Sequence, residues 1–418
     1  MAIDGGAPLR ISVVTETYPP EVNGVALTLA RVVEGLLERG HDVQLVRPRQ
    51  AADGDGRTEA GRARPGGACS SAPSGAVNAM LVRGMPIPLY SHLRLGLPCA
   101  RRLVQRWTLE RPDVVHVATE GPLGRSAVMA ARSLGIPVTS DFRTNFHAYS
   151  LHYGLGWLRE PILGYLRRFH NRTATTMVPT EALRRQLHDS GFRNLAVVSR
   201  GVDVGRFEPA RRSEVLRSRW GVGAGDLVVL YVGRLAAEKN LAQLVTSFRA
   251  IEAVQPTAKL LLVGEGPMRT SLQAQLPGAV FAGQRHGEDL AAHYASADLF
   301  LFPSLTETFG NVTAEAMASG LPVVAYDYAA AAQLIRPGLS GVPVACDNPA
   351  QFARAAVALA GSATTRRQLG AQARADALAF GWPQVLARFE QVLRQAVAGP
   401  PPAEPQTMSG VSAACSTT

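Results

Sequence analysis

The stretch "ISVVTETYPPEVNGVALTLARVVEGLLERGHDVQLV", residues 11–46, decides the fold. ISVVT (11–15) is an apolar run of the length of a buried strand. The turn-rich segment ETYPPEVNG follows it. Val25, Leu29, Val32, Val33, Leu36 and Leu37 then fall on one helical face, Gly40 suits the C-terminal cap, and VQLV (43–46) reads as the next strand. Strand, Gly-containing loop, helix and strand in that order open a doubly wound parallel sheet.

The alternation continues outward from this unit. Strands fit at 114–117, 136–140, 176–179 and 195–198, and helices at 97–110, 124–134, 157–171 and 181–189. A second series starts near 227, with strands LVVLYVG, KLLLVG (259–264), VFAG (280–283), LFLFP (299–303) and LPVVAY, and helices at 240–253 and 287–295. Helices near 349–360, 364–379 and 383–397 close the chain. Two such series predict an α/β protein of two Rossmann-like parallel-sheet domains facing a cleft. The first spans 1–199, with a flexible Gly/Ala/Ser-rich loop at 51–79. The second spans 200–380, with SRGVDVGRFEPA (199–210) as hinge. A terminal helix at 381–399 is expected to pack back on the first domain, and the Pro/Ser/Thr-rich tail 400–418 to be disordered.

Four cysteines, Cys69, Cys99, Cys346 and Cys415, show no C-x-x-C spacing, which suits free thiols in a reducing compartment. The first residues lack the pattern of a signal peptide, and no run of 18 apolar residues occurs, so a cytoplasmic protein is expected. The net charge is +10, of which residues 1–199 carry +8. A basic first half suits an anionic membrane surface, an acidic substrate or nucleic acid, and a solvated arginine-rich surface explains it as well. No nucleic-acid-binding motif is present. Arg101, Arg102 and Arg106 share a predicted helix with Leu103, Val104 and Trp107; such a helix can lie at lipid headgroups or simply pack. Only two lysines occur, Lys239 and Lys259. Asp53 and Asp55 form a D-x-D pair, but in so loose a segment they are not taken as metal ligands.

Candidate chemistry concentrates in the second series. "SLTETFGNVTAEAMASG" (304–320) lies at the carboxyl end of a strand, where ligands gather in open α/β sheets. Gly310 permits a tight turn, and a helix starting near Asn311 presents free N–H groups suited to a phosphate. Glu307, in the loop, and Glu315, within the first two helical turns, can address different parts of one extended ligand; a solvated loop acid beside a helix-terminal acid is the plainer reading. In "LYVGRLAAEKN" (230–240), Arg234 and Lys239 flank another strand end and suit a diphosphate, or are solvated cations. Gly264, Glu265 and Gly266 form a strand-end turn that can accommodate a nucleoside.

On these residues the chain resembles the retaining nucleotide-sugar glycosyltransferases of family four, with the GT-B fold. The matching pieces are PPEVNGVALTLARVVEGLLERGHDV, GVDVGRF, VGRLAAEKN, LLVGEGP, ADLFLFPS and ETFGNVTAEAMASGLPVVA. The resemblance implies that Arg234 and Lys239 bind the donor diphosphate, with Gly233 beside them. Glu307 would meet the transferred sugar and Glu315 the ribose. The N–H groups from Phe309 through Gly310 and Asn311 to Val312 would add to the phosphate site, and Gly264, Glu265 and Gly266 would take the nucleoside. Asn23 and Gly24 would approach from the first domain. It also implies catalysis without metal or other cofactor.

One departure concerns a first-domain histidine of the family. Here the stretch reads TSDFRTNFHAYSLHYGLG, with Arg143 at the usual place and His147 four residues on; either can serve. The Tyr153–Gly156 stretch and the TETYPP opening resemble bacterial lipid and polyprenyl-type glycosyltransferases, a group that includes GDP-mannose-dependent mannosyltransferases and sulfoquinovosyl transferases. The expected activity is hexose transfer, with GDP-mannose as first donor, to a lipid or glycan hydroxyl at the inner face of the cell membrane. A UDP-hexose-dependent transferase, a nucleotide-sugar 2-epimerase and a non-catalytic nucleotide-sugar-binding scaffold are the alternatives.

Overall fold

A computed structural model describes residues 6–21, 23–50, 53, 78–87, 90–143, 159–223 and 225–399. The first sheet contains β1 (Arg10–Val14), β2 (Asp42–Pro48) and β3 (Asn78–Val82). An antiparallel hairpin follows, β4 (Gly84–Ile87) with β5 (Tyr90–Gly96). The sheet resumes with β6 (Val114–Val117), β7 (Val138–Asp141), β8 (Thr175–Val178) and β9 (Leu195–Val197), in the spatial order β3-β2-β1-β6-β7-β8-β9. Its pairings are parallel throughout.

The second sheet comprises β10 (Val228–Val232), β11 (Lys259–Val263), β12 (Val280–Gly283), β13 (Leu299–Phe302), β14 (Val323–Tyr326) and β15 (Gly341–Val344). These run parallel in the order β12-β11-β10-β13-β14-β15. The central strands are buried along their whole length. That explains continuous apolar runs such as VVLYV and LFLF in place of alternation, since helices cover both faces of a parallel sheet. In each sheet the strand order reverses once, between β1 and β6 and between β10 and β13, and a crevice opens at the carboxyl ends of each such pair.

The helix Trp382–Ala398 packs on the first sheet although it follows the second in sequence. Val385, Leu386, Phe389, Val392 and Leu393 share a core with Ile11, Val13, Leu29 and Val33. The hinge that starts the second lobe is fixed by Arg374, whose Nη1 donates to the carbonyls of Val204 (2.9 Å), Phe207 (2.7 Å) and Ala318 (2.8 Å). Backbone contact between Val202 N and Phe380 O (3.0 Å) adds to it.

One expected boundary needs correction, and two open readings close. The loop expected at 51–79 ends earlier, because Asn78 and Ala79 already pair in β3 beside Gln44 and Leu45. Asp53 accepts from Arg47 at 2.6 Å, so its carboxylate is neutralised by a guanidinium, while Asp55 lies outside the described residues. The helix Ala100–Leu109 takes the packed alternative: Leu103 and Trp107 are in the core, Trp107 Nε1 donates to Gln44 Oε1 at 3.1 Å, and Arg106 pairs with Glu110 at 2.7 Å. Its apolar face is therefore spent on the protein. Among the described residues no helix is long and apolar enough to cross a membrane. The tail 400–418 lies outside the described residues.

Candidate functional site

The β10–β13 crevice collects the loops singled out by sequence. Gly233 follows β10 and Gly264 follows β11, with Gly233 N donating to Val263 O at 3.0 Å and Leu235 N to Glu265 O at 2.9 Å. Gly264 has φ +137, and a Cβ there would lie 2.0 Å from the Gly233 carbonyl oxygen, so the two strand-end loops cross backbone to backbone. Gly266 lies against the Leu235 carbonyl. The Glu265 side chain pairs with Arg269, one helical turn on.

Lys239 and Glu307 meet in this crevice. Lys239 ends a short 3₁₀ turn (Ala237–Lys239), and its Nζ donates to Glu307 Oε1 at 2.5 Å. Ser304 Oγ donates to the same carboxylate oxygen at 2.8 Å. Thr306 Oγ1 donates to Glu238 O at 3.0 Å, which fastens the β13 loop to the turn carrying Lys239. Both partners of the ion pair are mostly shielded, at 14% and 18% side-chain exposure. Arg234 is different: it is half-exposed and only loosely set against Glu238 at 3.5 Å. The site thus has one shielded, neutralised cation and one that faces solvent.

Behind them the helix Asn311–Ala318 begins at Gly310, in the left-handed conformation at φ 91, with no side chain capping it. The first N–H groups of that helix have no side-chain acceptor, which leaves a partial positive charge facing the loop of Glu307. Phe309 is buried beneath, and Val312 packs partly buried against the core. The Asn311 Oδ1 is buried and unpartnered. Glu315 accepts from Tyr294 OH at 2.9 Å. Burial pushes the Glu315 carboxyl up to about 7, against the lowering effect of the Tyr294 hydrogen bond and Arg206.

In the first lobe, Asn23 is the N-cap of the helix Gly24–Glu38: its Oδ1 accepts from Val25 N (3.1 Å) and Ala26 N (2.9 Å), and its Nδ2 donates to Thr17 Oγ1 (2.7 Å). The Asn23 side chain is therefore committed to the helix, whereas Gly24 has open space above it. Arg143 is tied to Asp141, which also bonds His116 Nε2 at 3.1 Å. Burial alone would raise the Asp141 carboxyl, but Arg143 and His116 overcome it and hold it down at about 2. Arg143 is thus a paired cation at the carboxyl end of β7. His147 lies outside the described residues.

Sequence reasoning missed Arg200. It is the second residue of the hinge, lines a small cavity with Thr28, Asp141, Arg143 and Trp382, and feels the charges of Arg143, Asp141 and Glu307. Burial and Arg143 lower its guanidinium to about 10, so it stays charged at neutral pH. Its neighbour Ser199 accepts from Gln333 of the second lobe at 3.2 Å. The available signal was a cation at the second position of the hinge motif, where the lobes must meet.

With this geometry in hand, comparison with known proteins is informative. The family model described as Glycosyl transferases group 1 matches residues 226–362, and that described as Glycosyltransferase Family 4 matches 22–206. A GDP-mannose-dependent alpha-mannosyltransferase of Mycobacterium tuberculosis is 34% identical over 391 residues, covering 92% of this chain and 97% of the relative. Sulfoquinovosyl transferase SQD2 of Arabidopsis thaliana is 33% identical over 249 residues, 58% of this chain and 48% of the relative. Among solved structures, Anabaena Alr3699/HepE in complex with UDP superposes with a TM-score of 0.72 at 18% identity, over 92% of this chain and 100% of that one. WaaG, a glycosyltransferase involved in lipopolysaccharide biosynthesis, does so at 0.65 and 16% identity, over 92% and 99%. At such identities these two structures speak to the two-lobed fold alone.

Proposed function

The chain belongs to the family-four glycosyltransferases, with the GT-B fold, and on that premise we propose that it transfers mannose from GDP-mannose to a lipid or glycan hydroxyl. It is a glycosyltransferase; the donor, the acceptor and the residue roles are the proposed part. The observation that carries the reading is the meeting of Lys239 and Glu307 at the β10–β13 crevice, under the start of the helix Asn311–Ala318. Identities of 34% and 33% to two GDP-mannose-dependent relatives, over 97% and 98% of their length, support the donor. The name of a weaker relative, an alpha-monoglucosyldiacylglycerol synthase from Streptococcus pneumoniae at 27% identity, supports a lipid acceptor. A lipid acceptor puts the working enzyme at the cytoplasmic face of the cell membrane.

In the proposed reaction the glycosidic C–O bond to the diphosphate lengthens and negative charge grows on the phosphate oxygens. Arg234, Lys239 and the N–H groups at Asn311 and Val312 stabilise that charge, each such preorganised group contributing ~3 kcal/mol. These two cations do the work that a divalent ion does in other transferases. Glu307 holds both Lys239 and the hydroxyls of the sugar in register, and Glu315 accepts from the ribose. The acceptor hydroxyl attacks the oxocarbenium-like anomeric carbon from the leaving-group face, and its proton passes to the departing phosphate. Mannose thereby arrives with its anomeric configuration retained.

The test is donor choice. Purified protein is scanned for thermal stabilisation by GDP-mannose, UDP-glucose, GDP and UDP, then assayed for acceptor-dependent nucleoside diphosphate release. GDP and GDP-mannose are expected to stabilise it, with GDP released only when a lipid or glycan acceptor is added. Stabilisation and turnover with UDP-glucose alone would reverse the donor assignment. Conversion of the nucleotide-sugar without acceptor would point to an epimerase.

A further inference from the structure

The small cavity beside Arg200 lies at the carboxyl ends of β7 and β8, where the hinge leaves the first lobe. Its volume is about 20 Å³, room for one particle the size of a water molecule. Trp382 and Phe389 of the terminal helix give it an apolar wall. Its polar lining is Thr28 from the helix Gly24–Glu38, Asp141 and Arg143 at the end of β7, and Ser199 and Arg200 from the hinge.

Charge in this cavity does not balance. Asp141 is paired with Arg143 and bonds His116 Nε2 at 3.1 Å, so that carboxylate is taken. Arg200 is left over. Among the described residues no carboxylate comes within ion-pair distance of it, and its hydrogen bond is a long one, from Nη2 to the Arg143 carbonyl at 3.5 Å. Burial and the repulsion of Arg143 both disfavour its charge. Glu307 attracts it from the second lobe but is itself engaged by Lys239 and Ser304. A buried charge is tolerated when it is paired, and costly when it is not. A water in the cavity can accept a hydrogen bond from the guanidinium and leaves the charge uncompensated. A monoatomic anion does both.

The hydroxyl groups point the same way. Thr28 Oγ1 donates to Gly24 O at 2.6 Å, so its proton is committed. Ser199 Oγ accepts from Gln333 Nε2 at 3.2 Å, which leaves its own proton free to be donated into the cavity.

We propose that this cavity is a site for one monovalent, monoatomic anion, chloride being the physiological one, held by the Arg200 guanidinium and the Ser199 hydroxyl. A phosphate is a larger, tetrahedral ion and is excluded by the volume. The guanidinium carries several N–H donors, enough to serve the cavity on one edge and the cleft on the other. Because Ser199 is also the contact to Gln333 of the second lobe, the anion steadies the hinge where the lobes touch. The inference is independent of which nucleotide-sugar the enzyme uses.

The test uses the full chain at constant ionic strength, with sodium chloride exchanged for sodium gluconate, whose anion is too large for the cavity. Chloride raises the melting temperature saturably, by about 2 °C between about 1 and about 100 mM, as a weak ligand of the folded state does. Sodium bromide does the same, and the chloride NMR line broadens when protein is added. Arg200→Gln removes both responses and melts near the wild type in gluconate. Arg200→Lys retains part of them, and Arg101→Gln, on the helix Ala100–Leu109, retains them in full. Crystals soaked in bromide locate the ion and keep the test decisive if Arg200→Gln does not fold: an anomalous peak within hydrogen-bond reach of Arg200 and Ser199 is expected. Equal melting of the wild type in chloride and gluconate, a chloride response that survives Arg200→Gln, or bromide crystals with no peak in the cavity would each overturn the proposal.

Discussion

Lys239 donates to Glu307 at 2.5 Å across 68 residues of chain, and Ser304 bonds the same carboxylate oxygen at 2.8 Å. A lysine held by a carboxylate that is itself anchored by Ser304 loses little freedom when a phosphate oxygen accepts a hydrogen bond from one of its remaining protons. Lys239→Ala is therefore expected to lower kcat by about 10²–10³ with a melting temperature near that of the wild type. Lys239→Arg recovers only part, because a planar guanidinium does not fit a site built for a compact ammonium. Arg234→Ala falls in the same direction. Steady-state kinetics with GDP-mannose decides it, and unchanged kcat in both alanine variants would remove the pair from the reaction.

Tyr294 and Glu315 give a pH prediction. The Tyr294 hydroxyl lowers a carboxyl that burial has pushed up to about 7. Tyr294→Phe removes that help, so the carboxyl rises further and less of it is ionised at neutral pH. If ionised Glu315 accepts from the donor ribose, KM for the donor increases at pH 7 and returns toward the wild-type value by pH 8.5. A KM ratio between variant and wild type that does not change with pH would contradict the ribose role.

Two glycines at the cleft separate folding from binding. Gly264→Ala combines a left-handed backbone with a Cβ 2.0 Å from the Gly233 carbonyl oxygen and should cost about 3 kcal/mol or more. Gly24 meets nothing within 4 Å, so Gly24→Ala leaves stability unchanged or slightly improved. If Gly24 faces the donor phosphates, the added methyl raises donor KM all the same. Urea unfolding and kinetics on the two variants check both halves; a Gly24→Ala enzyme with wild-type KM places the donor elsewhere.

The central strands of both sheets were legible because a parallel sheet covered on two faces demands unbroken apolar runs, and VVHV, VVLYV and LFLF supply them; the edge strands β3 and β15 were not. Helix starts were legible where Gly or Asn stands at the turn, as at Asn23 and Gly310. The β4–β5 hairpin was not, since GMPI carries a proline and YSHLRLG shows no clear apolar period. Arg234, Lys239, Glu307 and Glu315 could be named from strand-end placement. That Lys239 would touch Glu307 while Arg234 stayed half-free could not, because local pattern says which loops share a crevice and nothing about which side chains pair there. Arg143 shows the same limit: its position was readable, its partner Asp141 was not weighed.

Glu16 ties the TETYPP loop to the start of the helix Pro122–Ser133, accepting from Leu123 N at 3.0 Å. Burial raises its carboxyl from 4.5 to about 7, with Glu120 adding repulsion and the Leu123 N–H opposing. The folded state thus favours the protonated form. Its contribution to stability is full below about 4.5 and is lost as pH rises through about 7, a change of up to ~3 kcal/mol. Glu16→Gln keeps the acceptor and removes the titration. Wild-type stability is expected to fall between pH 5 and 8 by more than that of the variant, with Glu315 leaving a residual slope in both. Urea unfolding at four pH values measures it, and parallel curves would show that Glu16 does not titrate in this range.

Arg200 carries the last prediction. Charges from both lobes converge on it: Arg143 and Asp141 from the first, Glu307 from the second. Asp141 is already engaged by Arg143 and His116, and Glu307 by Lys239, so the Arg200 guanidinium has no dedicated counter-ion among these groups. A charged group in that position is available to an anionic donor entering between the lobes. Arg200→Gln is expected to lower kcat/KM for the donor by about ten- to a hundredfold, the equivalent of about 1.5–3 kcal/mol for one charged hydrogen bond. Stability should change little, because losing the guanidinium also relieves its repulsion with Arg143. Arg200→Lys keeps the charge and should recover part of the loss. A hinge residue with only a packing role predicts the opposite pattern: a lower melting temperature in both variants, with kcat/KM following the folded fraction.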